Sequence, residues 1–366
     1  MLTLGFFIVF VLGGLFWGAV LLWFIARVHL RGADLSAFDQ PEGQRFSSGV
    51  QPSAETRGVL ARLARLTQAA KGVPRLRRTA VLRQAIDTMF DDRALDARFD
   101  PVNSAGVPAE WVRAPGADGA RRLLYIHGGA FVMGSPRSHR TLTAALSART
   151  GCAVLAIDYR LMPEHPRQAG IDDCRNAYRW VLDNGPSGAQ PARTVFVAGD
   201  SAGGNLTLSL IAWVRDAGLR APDAAVAFSP ATDSTGASPS LYANAATDPM
   251  LGPAFAPLLK LPRTVLLWGA WLQNRINPRD PVLSPVHGDL SRLPPVLVQA
   301  SDSEMLRDDA RRWVNRARAA GSPARLQLWS DMIHVWQLFN PELPQANQAL
   351  DEVAAFLAAA ERGQAT

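Results

Sequence analysis

Hydrophobic residues dominate the first part of this chain, and the first predicted element is an apolar helix. From Met1 to Ala26 no residue is charged, and most are Leu, Phe, Val, Ile, Trp or Gly. A helix of this length crosses the roughly 30 Å hydrocarbon core of a bilayer. The run lacks the basic start and the small-residue cleavage site of a signal peptide. It therefore predicts an uncleaved transmembrane anchor over 1–26, in preference to a cleaved signal peptide or a buried core helix.

The pattern then changes from apolar to polar. Residues 27–55 are rich in Gly, Ser, Pro and Gln, which predicts a linker. Within 56–70, apolar residues such as Val59 and Leu63 recur at helical spacing, so an amphipathic helix is expected. This helix can lie on the membrane surface or belong to a cap over a catalytic domain. We favour the cap and assign 56–105 to an N-terminal cap segment.

Beyond residue 105, short apolar strands alternate with amphipathic helices. This alternation predicts an α/β domain over 106–366, in which helices cover both faces of a mostly parallel sheet. A long insertion over about 233–293 separates two of the strands. Its helical stretches at 254–261 and 265–274 predict the rest of the cap, which as a lid would select substrates by shape.

Charge adds a membrane surface to this picture. The 366 residues carry a formal net charge of +6, and from Arg57 to Arg83 there are only basic charges. We predict that this charge binds anionic membrane lipid and not nucleic acid, with the catalytic domain on the cytoplasmic side of a bacterial inner membrane. The opposite orientation stays open, because large domains translocate despite their charge.

One motif carries a candidate nucleophile. An apolar strand ending at Ala198 leads into Gly199-Asp200-Ser201-Ala202-Gly203-Gly204, and an amphipathic helix follows. This is a G-x-S-x-G sequence between a strand and a helix. Its small residues allow a sharp turn that holds the serine hydroxyl clear of the backbone. Ser201 is therefore predicted to be the nucleophile.

A serine nucleophile needs a base and an acid that orients the base. In α/β-hydrolases the order along the chain is serine, acid, histidine. His334 follows an alternating apolar strand and fits as the base, whereas His287 is the weaker alternative. The loop after the preceding strand offers Asp302 and Glu304, and spacing alone does not choose between them. Two acids at the start of the next helix are predicted to serve only its dipole: Asp308 and Asp309.

The developing oxyanion also needs donors. A short apolar strand leads into His127-Gly128-Gly129-Ala130, where glycines let backbone N–H groups approach a substrate. We predict an oxyanion hole made by the N–H groups of Gly128, Gly129 and Ala202.

These segments together resemble the hormone-sensitive lipase-like family of α/β-hydrolase carboxylesterases, over roughly residues 75–360. The stretches that carry the resemblance are His127 to Ala130, Asp158 to Pro166, Gly199 to Gly204, Asp280 to Pro285 and Glu304 to Asp308. Two positions depart from the family pattern. Ala130 replaces a third glycine, and Glu304 stands where the acid is more often aspartate.

The resemblance implies an α/β-hydrolase fold with a helical cap and a Ser-His-Glu triad. Ser201 would be the nucleophile, His334 the base and Glu304 the acid, with Asp302 as the alternative acid. No metal or cofactor is implied, and the two cysteines predict neither a disulfide framework nor a metal-ligand cluster. The family implies a structural role for the adjacent Glu164 and His165, and two tryptophans of the lid could line an acyl pocket: Trp268 and Trp271.

We therefore predict a membrane-anchored serine carboxylesterase that acts on small-molecule esters with short to medium acyl groups. Because the lid is close to the anchor, its mouth is expected to face the bilayer and admit lipophilic esters. An amidase or deacetylase on the same triad is the near alternative. A non-catalytic ligand receptor and a lipase for long-chain triglycerides are disfavoured. The sequence does not predict the oligomeric state.

Overall fold

A computed structural model describes residues 2–46, 54–69 and 71–365. Met1, residues 47–53 of the predicted linker, Ala70 and Thr366 lie outside the described residues. The strands in chain order are β1 (Gln44–Phe46), β2 (Arg98–Ser104), β3 (Val107–Arg113), β4 (Asp118–Ile126), β5 (Cys152–Ile157), β6 (Asn184–Gly185), β7 (Gly188–Ala189), β8 (Thr194–Asp200), β9 (Ala224–Phe228), β10 (Val296–Ser301) and β11 (Ala324–Trp329).

Nine of these described strands form one sheet, in the order β1-β11-β10-β9-β8-β4-β5-β3-β2. Along this order, neighbouring strands are parallel from β1 at one edge as far as β5. Strands β3 and β2 complete the far edge and run antiparallel to their neighbours. Strands β6 and β7 form a separate two-stranded ribbon. The central strands are buried along their whole length, as is typical of a parallel sheet that helices cover on both faces.

Helices cover the sheet on both sides, as predicted. The α-helices of the described residues, in chain order, are α1 (Leu2–Ile25), α2 (Ala54–Ala69), α3 (Arg75–Asp87), α4 (Arg140–Thr150), α5 (Arg167–Asp183), α6 (Ala202–Asp216), α7 (Ser240–Ala243), α8 (Gly252–Phe255), α9 (Arg263–Asn274), α10 (Arg307–Ala319) and α11 (Pro344–Glu361). Helices α4 and α11 pack on one face of the sheet, and α5, α6 and α10 pack on the other. This is the α/β architecture that the sequence predicts, a mostly parallel sheet between two layers of helices.

The parallel strands all end at the same edge of the sheet. Strands β4, β8, β10 and β11 therefore deliver the segments that follow them to one place. In open parallel sheets this edge, at the carboxyl ends of the strands, is where ligands bind.

Two predicted boundaries differ from the structure. Part of the expected linker, 27–55, forms β1, which pairs with β11, and Asp39 forms an ion pair with Arg312 at 2.7 Å. Polar composition hid this strand, because an edge strand of three residues has almost no hydrophobic pattern. The expected cap segment 56–105 also ends too late, since β2 belongs to the main sheet through its hairpin with β3.

Helix α2 packs on the catalytic domain. Its apolar side chains Val59 and Leu63 are 1% and 5% exposed, and they lie in a cluster with Trp329 and Trp336. This is the packing expected for the cap alternative. In the insertion, α9 agrees with the predicted helix at 265–274. The stretch predicted as a second helix is divided into α8 and a 3₁₀ turn, and Pro257 lies between them.

Helix α1 continues through a π-helical turn to Leu30. The segment Phe10–Leu30 is long and apolar enough to cross a membrane, and only 6% of its most apolar window is buried in the protein. Such exposure excludes the buried core helix that was one alternative for this segment.

Candidate active site

The nucleophile turn is sterically demanding. Ser201 joins β8 to α6 with φ 52° and ψ −113°, a backbone conformation that residues other than glycine rarely adopt. A Cβ on Gly199 would lie 2.5 Å from the carbonyl oxygen of Gly203, and a Cβ on Gly203 would lie 2.6 Å from that of His127. Both contacts are too close for any side chain, so the two glycines of the motif are required by packing.

Three of the predicted side chains form one chain of hydrogen bonds. The Ser201 Oγ lies 2.9 Å from His334 Nε2, and His334 Nδ1 lies 2.5 Å from Glu304 Oε2. His334 and Glu304 are 2% and 0% exposed. The serine hydroxyl can therefore donate to an imidazole that is held on its other side by a carboxylate.

The alternative acid points elsewhere. Asp302 Oδ1 accepts a hydrogen bond from the backbone N–H of Asp331 at 3.0 Å, and Asp302 forms no hydrogen bond with His334. Glu304 is fixed instead, because its Oε1 accepts the N–H of Ser301 at 2.8 Å. The extra methylene of glutamate lets this carboxylate bridge the end of β10 and the imidazole.

Burial and pairing shift the pKa of both partners. Complete burial raises the pKa of Glu304 above its ordinary value, and the hydrogen bond to His334 offsets only part of that rise. Burial alone would lower the pKa of His334, but the hydrogen bond and the charge of Glu304 outweigh it and raise the pKa. A buried carboxylate of this kind stabilises the imidazolium that forms when the base accepts a proton.

One predicted oxyanion donor is wrong. The N–H of Gly128 donates to Asp200 Oδ1 at 2.9 Å in a buried position, so it is not available to a substrate. Within the described part of the chain, the N–H groups of Gly129, Ala130 and Ala202 have no acceptor in the protein. Gly129 is half-buried and Ala130 exposed, at the surface of the same loop. Ala130 therefore replaces Gly128 as a candidate donor, next to the two that remain.

Asp200 is a residue that the sequence analysis missed. Its buried carboxylate accepts the Tyr125 hydroxyl at 2.6 Å as well as the N–H of Gly128, and His139 Nε2 lies 3.3 Å away. Burial would raise the pKa of Asp200, but the charge and hydrogen bond of His139 lower it. The carboxylate thus ties the turn at Ser201 to the glycine loop. Its position directly before the nucleophile was the available signal.

The first histidine of the glycine loop supports the loop's shape. His127 is buried and stacks on Tyr159, with 4.4 Å between ring centroids. Its Nδ1 lies 2.7 Å from the carbonyl oxygen of Gly128. Burial lowers the pKa of His127 to about 3, so this ring is neutral at physiological pH.

The remaining candidates lie outside the hydrogen-bonded chain. His287 Nε2 is 3.5 Å from Asp233 Oδ1, and Glu164 pairs with Arg83 at 2.8 Å. The two lid tryptophans, expected to line an acyl pocket, instead pack with the end of the apolar N-terminal segment: Trp268 and Trp271.

The acids at the start of α10 do more than serve the helix dipole. Asp309 Oδ2 accepts the N–H groups of Thr232 and Asp233 at 2.7 and 2.9 Å, and Asp308 Oδ2 accepts that of Ser240 at 2.9 Å. All of these residues lie at the start of the insertion after β9. The prediction for these two acids is therefore wrong, because they hold the base of the cap.

No group of three or more His, Cys, Asp or Glu side chains with the spacing of a metal site is found in residues 2–46, 54–69 and 71–365. Both cysteines, Cys152 and Cys174, are free and buried.

Comparison with known proteins identifies the class. The sequence profile of a protein family with an alpha/beta hydrolase fold matches residues 123–338, more than half of the chain. An acetyl-hydrolase of Streptomyces hygroscopicus is 41% identical over 258 residues, which cover 70% of this chain and 82% of that protein. The carboxylesterase/phospholipase LipF of Mycobacterium tuberculosis is 36% identical over 262 residues, which cover 70% of this chain and 68% of LipF.

A solved structure gives the same result. An esterase from the bacterial hormone-sensitive lipase family superposes with a TM-score of 0.73 at 37% identity, covering 87% of this chain and 100% of the other. The protein is thus a serine hydrolase of the carboxylic ester hydrolase class. It belongs to the α/β-hydrolase family, among the hormone-sensitive lipase-like carboxylesterases that its motifs resemble.

Proposed function

We propose that this protein is a membrane-anchored serine carboxylesterase that hydrolyses short to medium acyl esters through Ser201, His334 and Glu304. The hydrogen-bonded chain from Ser201 Oγ to His334 and on to Glu304 is the observation that carries the proposal. It has the order and geometry that activate a serine hydroxyl.

In the proposed mechanism, Ser201 Oγ attacks the ester carbonyl while His334 Nε2 takes its proton. Glu304 holds His334 through Nδ1, so that Nε2 faces the serine and the imidazolium is stabilised. His334 then returns the proton to the leaving alcohol. A water molecule, activated by the same histidine, releases the acid from the acyl-enzyme.

The oxyanion donors in this mechanism are the N–H groups of Gly129, Ala130 and Ala202. Each lacks an acceptor among the described residues. Gly129 and Ala130 belong to the loop after β4, and Ala202 follows Ser201 at the start of α6. Preorganised donors of this kind stabilise the tetrahedral intermediate more than the planar ester. Asp200 supports them indirectly, because its bond to Gly128 fixes the loop that carries two of the three.

For the substrate, the relatives favour small acyl groups and lipid-like esters. Two of them are named acetyl-hydrolases, and LipF is named a carboxylesterase/phospholipase. We propose that the first 26 residues stay attached as the anchor, with the catalytic domain on the cytoplasmic side. The exposed apolar surface of α1 and the basic residues that follow it support this arrangement.

The test is ester hydrolysis by the full chain in detergent, with p-nitrophenyl esters of increasing acyl length. Ser201→Ala should lower kcat by about 10⁴-fold or more, because the nucleophile is lost. Ser209→Ala is the matched control, since Ser209 lies on the same helix α6 and its hydroxyl donates to the backbone carbonyls of Val282 and Pro281, at 3.3 and 3.5 Å, and not to the catalytic side chains. It should retain full turnover.

Residual turnover of Ser201→Ala within tenfold of the native enzyme would contradict the proposed nucleophile. If the native enzyme cleaves aryl amides much faster than the matching esters, an amidase on the same residues replaces the esterase. Membrane attachment is tested separately by extraction of cell membranes with alkaline carbonate, which releases peripheral proteins. Release of the full chain into the soluble fraction would refute the anchor and leave the esterase standing.

A further inference from the structure

The cap carries a row of large apolar side chains that face outward. Val265 and Leu272 on α9 are 49% and 54% exposed, and Leu258 just before this helix is 50% exposed. We call this surface the cap face, and its residues are Phe255, Leu258, Leu261, Val265 and Leu272. On α9 the two exposed residues are seven positions apart, so they lie on one side of the helix.

The chain segment that carries the cap face has charges of one sign. Between Asp248 and Asp280 there is no acidic residue, whereas this stretch contains four cations: Lys260, Arg263, Arg275 and Arg279. An exposed apolar helix face on a segment whose charges are all basic is the pattern of helices that lie in the headgroup region of anionic membranes.

The other side of α9 is docked on the N-terminal segment. Leu267 of α9 is buried in a cluster with Ala26 and Leu30, and both lid tryptophans pack against this cluster. The opposite face of the helix is therefore occupied by protein, and among the described residues the apolar side chains of the cap face stay exposed.

Hydrogen bonds join the same two segments. The indole of Trp268 donates to the carbonyl of Leu22 at 3.1 Å, and Asn277 Nδ2 donates to that of His29 at 2.8 Å. Arg279 Nη1 donates to the carbonyl of Val28 at 3.2 Å. The carbonyls of Val28 and His29 lie in the last turn before Leu30, and the last carbonyls of a helix lack partners within it. The cap therefore supplies donors to the end of this segment.

These contacts set the height of the cap relative to a membrane. At 1.5 Å per residue, the stretch from Leu2 to Leu22 already measures about 30 Å, the thickness of the hydrocarbon core. The carbonyls that the cap binds, from Leu22 onward, are then at the boundary of that core. With the predicted anchor 1–26 taken as the span and Leu2 as its start, these bonds would hold α9 at the level of the lipid headgroups.

We propose that the cap face inserts into the headgroup layer of the bilayer that α1 spans, as a second lipid contact of the enzyme. The occupant of this surface is anionic lipid, and the mouth of the cap is thereby kept next to the membrane. The inference rests on the proposed anchor. It adds a named surface to it and explains why Trp268 and Trp271 face the N-terminal segment.

The experiment uses the full chain in nanodiscs that contain phosphatidylglycerol and hold one protein each. Both native cysteines are buried, so single cysteines introduced as Val265→Cys, Leu272→Cys or Leu258→Cys can be labelled with an environment-sensitive fluorophore. We expect a blue-shifted emission at all three positions, and quenching by lipids that carry a nitroxide near the headgroup.

Ser187→Cys is the matched control. Ser187 is exposed in the turn between β6 and β7, whose Pro186 packs near Gly119 at the start of β4, at the opposite end of the sheet from Ser201. Its label should show neither the blue shift nor the quenching. Normal ester turnover by each labelled protein shows that the fold is intact.

Labels at 258, 265 and 272 that behave like the label at 187 would overturn the proposal. A shift seen only in discs with two proteins would also overturn it, and would assign the cap face to a second copy of the chain. Carbonate extraction separates these results from a failure of the anchor, because an anchored enzyme with an unquenched cap face refutes only this inference.

Discussion

The catalytic centre and the cap face place opposite demands on their residues. In the centre, charged groups such as Asp200 and Glu304 are buried and fully hydrogen-bonded, and glycines are set by contacts with backbone atoms. On the cap face, large apolar side chains are 39–54% exposed. Contacts within the protein therefore account for the residues of the centre, whereas the proposed contact with membrane lipid accounts for those of the cap face.

The same substitution in both regions gives the sharpest contrast. Gly203 is the second residue of α6, where an added Cβ would lie 2.6 Å from the carbonyl of His127 and still closer to that of Ile126. Gly269 lies in α9, where an added Cβ would meet nothing within 4 Å. We expect Gly203→Ala to abolish nearly all ester turnover and folded yield. Gly269→Ala should retain turnover and gain about 0.5–1 kcal/mol of helix stability.

The measurements are turnover of p-nitrophenyl acetate and the thermal unfolding midpoint in the same detergent. If Gly203→Ala were as active as the native enzyme, packing at the nucleophile turn would not be the constraint described above. Loss of activity in Gly269→Ala would mean that α9 has a close partner on its exposed side, such as a second copy of the chain.

A smaller but more specific effect is expected at the acid. Glu304→Gln should lower kcat by about 10³–10⁴-fold, because the amide no longer stabilises the imidazolium. Asp302→Asn should change kcat less than about tenfold, since Asp302 bonds the N–H of Asp331 and not the imidazole. An equal loss in the two variants would show that the bond between Glu304 and His334 does not carry the catalytic effect.

The pH profile gives this prediction a direction. Glu304 raises the pKa of His334, which must be neutral to accept the proton from Ser201. The acidic limb of kcat/KM should therefore fall at a higher pH than an ordinary histidine would give. In Glu304→Gln the pKa of His334 drops, so the residual activity should persist to lower pH. An unchanged limb would mean that another group controls the profile.

Sequence predicted the catalytic centre better than the periphery for a physical reason. The order of serine, acid and histidine follows from parallel strands that end at one edge, so Ser201 and His334 could be brought together in advance. Spacing alone did not choose between Glu304 and Asp302. The family resemblance favoured Glu304, and the side-chain directions agree with that choice. Gly128 was misassigned because a glycine that makes room for a substrate cannot be distinguished in sequence from one that makes room for the Asp200 carboxylate.

The elements around the catalytic centre were harder to predict, because their contacts leave no periodic hydrophobic pattern in the sequence. Strand β1 is only three residues long and is specified by its partner β11. Asp308 and Asp309 lie in the first turn of a helix, where the helix dipole is enough to account for acidic residues. Their hydrogen bonds to the start of the insertion after β9 could therefore not be predicted from the sequence. The sequence around Trp268 was equally compatible with an acyl pocket and with the contact to Leu22 of α1 that the structure shows.

The smallest expected effect decides to which region α2 belongs. Leu63 is 5% exposed in the cluster with Trp329 and Trp336, whereas Leu60 on the same helix is 37% exposed. If α2 is part of the catalytic domain, Leu63→Ala should lower its unfolding free energy by about 2–3 kcal/mol, the usual cost of a cavity. Leu60→Ala should cost less than about 0.5 kcal/mol. Denaturant unfolding in detergent, followed by tryptophan fluorescence, measures both. A reversed order, with Leu60→Ala the more damaging and membrane binding reduced, would instead place the exposed side of α2 on the bilayer beside the cap face.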